Sequence, residues 1–202
     1  VHKFGTSILA RIYDDILTKD ILLHYNIIKK EALKKLARYL ITNASEEITY
    51  SKLARILNIK HISTISNWVS YLENSFLLFT LERFNFKLKQ QFIAPRKVYC
   101  VDQGIINSIG FKFSDDRGKA IENLVAVTLQ RRKTQEGFEV FYWKDYLQHE
   151  VDFVIKKGKK IEQLIQVSYI NKKEDIRERE SRSLINAGKS LRCKNLLIIT
   201  WD

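Results

Sequence analysis

Methionine is absent from the 202 residues, and cysteine and proline nearly so, at two and one. A chain that starts at Val1 without any Met is the pattern expected of a fragment or of a non-standard start. Cys100 and Cys193 are too few for a disulfide framework or a four-ligand zinc site, which fits a reducing, cytoplasmic setting. One Pro and seven Gly exclude collagen-like, linker-rich and low-complexity chains. No run of about 18 apolar residues occurs, so no transmembrane helix and no membrane partner are expected. The N-terminus lacks the long apolar core of a signal peptide. The four histidines, His2, His24, His61 and His149, have no zinc-ligand spacing. No GxxxxGK[ST] loop occurs, so this chain holds no ATP in a P-loop; Gly118-Lys119 lacks the loop before it. Neither a GxSxG elbow nor a Cys–His pattern supports nucleophilic hydrolysis.

What remains is a chain rich in apolar residues, at 45%, with 29% charged residues of both signs and a net charge of +12. That composition supports one large or two small folded domains. A basic chain favours an anionic partner, DNA in the first place. The excess is spread evenly, with eight basic against four acidic groups in residues 1–44 and the same in 45–100. A dedicated groove reader usually concentrates its charge, so a merely Lys-rich surface is the competing reading.

Three segments follow from the periodicity, namely 1–44, 45–100 and 101–202. The first is helical. Ile28, Ala32, Leu33, Leu36, Ala37, Leu40 and Ile41 recur at helical spacing, with Lys29, Lys30, Lys34, Lys35 and Arg38 on the other face. An earlier helix over 8–23 carries Ile12, Ile16 and Leu23, and its acids Asp14, Asp15 and Asp20 read as a solvated face.

The second segment has the cadence of a winged helix-turn-helix. Tyr50–Leu57 is a short helix ended by Asn58. A second helix, capped by Ser63 or Thr64, has Ile65, Trp68 or Val69, Leu72 and Phe76 as its buried stripe. Two strands follow, 76–84 and 97–101, around a polar tip at 87–91. The outward face of the second helix offers Thr64, Ser66, Asn67, Ser70 and Tyr71 to bases or phosphates. Basic groups flank it, notably Lys60, Arg83 and Lys87. The DNA-binding candidates are therefore Lys60, Thr64, Asn67, Arg83 and Lys87. A structural or protein-contact role is the alternative.

The third segment runs helix, three strands, helix, strand. Its first helix, 116–132, carries Ile121, Leu124, Val125, Thr128 and Leu129 along one side. Strands follow at 138–143, 150–155 and 160–169, then a helix over 174–187 and a strand at 195–200. The strand at 160–169 is apolar on both faces and so central, and the crossover makes it a parallel neighbour of the last strand. Three polar residues fall where burial is expected, Glu122, Asp152 and Gln166. A carboxylate in such a setting costs free energy unless paired or metal-bound. Oxygen ligands of this kind suit Mg²⁺ or Mn²⁺. The alternative is a paired structural carboxylate and a hydrogen-bonded amide. Asp152 and Gln166 share a sheet face if the turn at 157–159 has three residues, and a two-residue turn separates them unless a bulge intervenes. Glu150 lies on the same strand face as Asp152 and could ligate, but reads better as a rim residue, and His149 beside it reads as exposed.

This order, with Glu122, Asp152 and Gln166 so placed, resembles the core of the PD-(D/E)XK nuclease superfamily. The stretches Ile12–Ile16, Ala94–Tyr99, Val101–Gly104, Gly118–Asn123, Glu150–Ile155 and Leu164–Tyr169 resemble the C-terminal part of a group of archaeal and bacterial AAA+-type ATPases. In that group a winged helix and a nuclease-like domain follow the ATPase module. The resemblance implies an α+β or α/β chain with N-terminal helices, a winged helix and an α-β-β-β-α-β domain. It implies an ATPase module in the same parent chain. It implies Asp152 as central metal ligand, Gln166 as second ligand and Glu122 as an added carboxylate, with Mg²⁺ or Mn²⁺ activating water for phosphodiester hydrolysis. The superfamily's Lys falls two residues after Gln166, where this chain has Ser168. A hydroxyl does not replace an ammonium. Arg179, Arg182 and Lys189 are the basic groups that could reach in. Two functions stay open: a metal-dependent nuclease module, or a non-catalytic nucleic-acid or protein scaffold that tethers an ATPase.

Overall fold

The structure is a computed structural model that describes residues 2–111, 116–169 and 178–201. It is a mixed α+β chain. In order, the elements are α1 (His2–Asp15) running into a π-helical segment (Ile16–Leu23), α2 (Lys30–Thr42), β1 (Glu46–Ile48), α3 (Tyr50–Ile56), α4 (Ile62–Asn74), β2 (Leu78–Glu82), α5 (Leu88–Ile93) and β3 (Arg96–Cys100). There follow α6 (Gln103–Ile109), α7 (Arg117–Glu136), β4 (Glu139–Lys144), β5 (Glu150–Lys157), β6 (Lys160–Ser168), α8 (Glu178–Leu191) and β7 (Leu196–Thr200). The chain divides into two units, residues 1–80 with 96–115, and residues 81–95 with 116–202. Among the described residues no helix is long and apolar enough to cross a membrane. Cys100 and Cys193 are both free and buried.

In the first unit one apolar core joins the π-helical segment, α2, α3, α4 and α6. Leu33, Leu36, Ala37, Leu40 and Ile41 are buried as their spacing predicts, but Ile28 lies before the helix and is exposed. The earlier helix buries Tyr13, Leu17, Ile21 and Leu22, whereas Ile12 and Leu23 are exposed. The wider π-helical turn advances the buried face, and a 3.6-residue count does not follow it. Asp14 and Asp20 are solvated as expected, and Asp15 pairs with Lys19 at 2.9 Å. The three-stranded sheet has the order β1-β3-β2, with β1 and β3 antiparallel. Helix α3 is capped by Thr49, whose side chain accepts the Lys52 N–H. Helix α4 starts one or two residues before the expected Ser63 or Thr64 cap, after His61 and with no side-chain cap.

Several helix C-termini among the described residues share one device. Asn58 follows α3 with φ 52°; its N–H reaches Arg55 O, and the next N–H reaches Ala54 O. Asn26 and Arg192 end their helical segments in the same way. These are Schellman ends, in which one residue takes a left-handed conformation that Gly or Asn adopts most cheaply. Phe76 ends α4 identically, at φ 55°, with bonds to Glu73 O and from Leu77 N–H to Leu72 O. Sequence spacing put Phe76 on the buried stripe. It is instead 80% exposed, because the left-handed turn redirects the chain and Leu77 takes the core position.

In the second unit a four-stranded sheet has the order β4-β5-β6-β7. The strands β4, β5 and β6 are antiparallel neighbours, and β6 and β7 are parallel, as the crossover through α8 requires. Helix α8 lays Leu184, Ala187 and Leu191 against Val151, Val154, Ile161 and Leu164. The 174–177 part of the expected helix lies outside the described residues. Helix α7 packs on β4 and β6. Asp116 caps its start, and Gly137, at φ 68°, ends it. Its buried residues are Asn123, Ala126 and Leu129, while Leu124 and Thr128 are exposed. Apolar groups lie nearly all round this helix, so the stripe drawn from periodicity is rotated. The expected polar tip at 87–91 is partly helical: α5 covers it, with Phe92 and Ile93 exposed.

Candidate functional site

The buried polar residues of the second unit are Asn123, Asp152, Gln166, Ser168 and Ser183. Three of them lie where β5 and β6 part. Lys157 pairs with Lys160, so the turn is the two-residue Gly158-Lys159, not the three-residue loop. Ile155 pairs with Gln163 and Lys156 with Ile161, which leaves Glu162 as an extra residue in a β-bulge. The bulge shifts the count by one. Regular pairing ends at Phe153 with Ile165, and Asp152 and Gln166 are the next residues on each strand.

A second bulge lies at Asp152 itself. Phe141 pairs with Val154 and Trp143 with Val151, so Tyr142 faces both Asp152 and Phe153. The Asp152 carboxylate makes good the broken ladder, since Oδ2 accepts the Val167 N–H at 2.9 Å. Strand β6 continues beyond this point against β7, where Gln166 meets Ile198 and Ser168 meets Thr200. Gln166 Oε1 is buried with no hydrogen-bond partner. Ser168 is also buried. Glu122 is half-buried on α7, beside the buried Asn123. Asp152 and Gln166 thus come together at the end of one ladder, and Glu122 belongs to the helix packed on β4 and β6.

The donor set tests the expected metal. Among the described residues no three of His, Cys, Asp and Glu are grouped to hold an ion. Gln166 is neutral, and one oxygen of Asp152 serves the backbone. For a cation, Asp152 would be the charged oxygen donor of this pair and the buried Gln166 Oε1 the neutral one. Of the three basic candidates for the missing Lys, Arg182 and Lys189 are exposed on α8, and the Arg179 side chain lies outside the described residues. Sequence reasoning missed Arg117. It opens α7, donates to the Tyr169 hydroxyl at 2.7 Å and lies over the Tyr169 ring, one residue beyond Ser168. The rim residues are committed to the β4–β5 loop. Glu150 pairs with Lys144 at 3.3 Å. His149, expected to be exposed, is half-buried and bonded to Asp145 at 2.8 Å. Burial pushes the Asp145 carboxyl up, but the His149 ring and the N–H groups of His149 and Leu147 outweigh it and hold its pKa below the usual value.

The DNA-binding candidates divide between the units. Lys60, Thr64 and Asn67 belong to the first, on α4 and the turn before it; Lys60 and Asn67 are exposed and Thr64 is half-buried. Ser70 is exposed on the same helix. Tyr71, expected to face outward for base contacts, is half-buried, and its ring stacks on Tyr25 at 3.6 Å. Arg83 and Lys87 belong to the second unit, where Arg83 pairs through its backbone with Tyr142. Lys97, not singled out from sequence, is buried on β3 directly across from Glu47.

Two family models match the chain. One, described as a domain of unknown function (DUF8612), covers residues 2–116. The other, also described as a domain of unknown function (DUF4143), covers residues 117–200. An uncharacterised protein of Methanocaldococcus jannaschii is 34% identical, over 97% of this chain and 44% of its own length. An uncharacterised protein of Haemophilus influenzae is 26% identical, over 77% of this chain and 38% of its own length. The chain therefore spans less than half the length of the curated relatives it matches. No solved structure matches it.

Proposed function

The chain belongs to the first of these families, and on that premise we propose that it is a nucleic-acid-binding module whose nuclease-like domain serves as a scaffold and not as a catalyst. In this reading it works beside an ATPase module of a longer parent protein. The non-catalytic part is carried by one observation: Asp152, the central acid of the nuclease pattern, spends Oδ2 on the Val167 N–H where β5 and β6 part. A buried carboxylate held in this way closes a sheet, and the buried Ser168 two residues past Gln166 supplies no cation for a phosphate.

Nucleic-acid binding is supported by the net charge of +12 and by the polar, exposed Asn67 and Ser70 of α4. The winged-helix reading draws support from the succession α2-β1-α3-α4-β2-α5-β3, with β3 between β1 and β2. The ATPase partnership is supported by the DUF4143 match, since such domains are known in AAA-ATPase-associated proteins. It is supported too by the share of each relative, more than half, that lies outside the match.

The test is anisotropy of labelled duplex DNA over a salt series, beside a plasmid-cleavage assay in Mg²⁺ and Mn²⁺. The expected result is binding that weakens steeply with salt, is reduced in Lys60→Ala/Asn67→Ala, and is accompanied by no cleavage. Cleavage abolished by Asp152→Asn would overturn the scaffold reading and establish a metal nuclease. Absence of binding at low salt would overturn the nucleic-acid reading.

A further inference from the structure

We propose that the first unit carries a pocket for an unpaired nucleobase, walled by Tyr25, Tyr71 and Phe76. The proposal rests on the nucleic-acid reading above and deepens it, from duplex contact to capture of a single-stranded base. A cleft of about 400 Å³ lies between the π-helical segment and the C-terminal end of α4, and Lys19, Asp20, His24 and Asn74 line it with the three aromatic residues. That volume is within the usual range for a small-ligand site.

Two independent features point to a planar ring as occupant. The first is the wall. Tyr25 and Tyr71 stack face to face at 3.6 Å with 8° between their planes, and His24 meets Tyr25 edge-on at 4.6 Å. The second is Phe76. Among the described residues it is the one large apolar side chain at positive φ, and it is 80% exposed. Burial of this ring does not repay the strained backbone, because the ring is not buried. Asn26 and Asn58 show the inexpensive solution to the same helix end. A bulky aromatic held in a costly conformation at the lip of an aromatic cleft is explained by what it stacks on.

The polar lining suits a base over a purely apolar ring. Asp20 and Asn74 offer acceptors and a donor to a base edge, and Lys19, held by the exposed Asp15 carboxylate, is the cation in the lining that a backbone phosphate would draw away from that pair. Every base has a π-face, so such a platform tolerates sequence and requires an unpaired strand. The pocket is continuous with α4, whose exposed Asn67 and Ser70 belong to the duplex-contact reading.

The experiment uses the full chain with fluorescein-labelled oligothymidylate, the same strand with abasic sites, and labelled duplex. Phe76→Gly removes the ring and relieves the backbone, so its melting temperature should equal or exceed that of the parent. Its affinity for oligothymidylate should fall by ~10-fold or more, with duplex affinity unchanged. Phe76→Trp should restore single-strand binding, and abasic strands should bind the parent as weakly as oligothymidylate binds Phe76→Gly. Unchanged single-strand affinity in Phe76→Gly, or equal binding of abasic strands by the parent, overturns the pocket and leaves duplex binding standing. A parent chain that binds neither strand form overturns the nucleic-acid reading itself.

Discussion

The two units bury polar groups to very different extents. Among the described residues the first buries Ser45 and Lys97, whereas the second buries Asn123, Asp152, Gln166, Ser168 and Ser183. The first unit is an apolar core, and the residues proposed for binding lie outside that core, on α4 and in the aromatic cleft. The second carries its polar residues inside, three of them at the point where two strands separate. Internal polar groups are mostly satisfied by the fold, and Asp152 meets that requirement in part by accepting the Val167 N–H. An external group is free to meet a partner. The difference favours binding at the first unit and scaffolding at the second.

Substitutions at three positions break or sharpen this contrast, each followed by denaturant unfolding. Leu72→Ala, at a fully buried position near the end of α4, removes apolar contact and leaves a cavity, and should cost about 2–5 kcal/mol. Asp152→Ala leaves the buried Val167 N–H without its acceptor and should cost about 1–3 kcal/mol, while Asp152→Asn keeps an acceptor and should cost less. An Asp152→Ala chain as stable as the parent would show the carboxylate to be dispensable to the sheet and would return it to the catalytic candidates. Gln166→Leu replaces a buried amide whose Oε1 has no partner, and should change stability by less than about 1 kcal/mol, or raise it. A large loss there would mean that the amide is satisfied in solution by a group bound in the site.

Much of the architecture was legible. The apolar run of β6 marked it as an inner strand, and the helix between β6 and β7 fixed their parallel pairing. Asn58 marked the end of α3, because a short amide side chain tolerates the left-handed turn. The buried Asp152 and Gln166 were legible because each interrupts an apolar strand. Other features left no local signal. The bulges at Glu162 and Asp152 are properties of paired strands, and no single strand announces them. Phe76 has the spacing of a core residue and the position of a helix end, and its exposure depends on which role prevails. Arg117 resembles any helix-terminal cation until Tyr169 is brought beside it.

Periodicity, helix-end residues and strand hydrophobicity act within a few residues of chain. They determined the mixed α+β class and most of the succession of helices and strands, but not β1, α5 or α6. Ladder register, the commitment of Asp152 to Val167 and the stacking of Tyr25 on Tyr71 join residues far apart in sequence. Only the tertiary structure decided these, because the free energy of each comes from a partner that the local sequence does not contain.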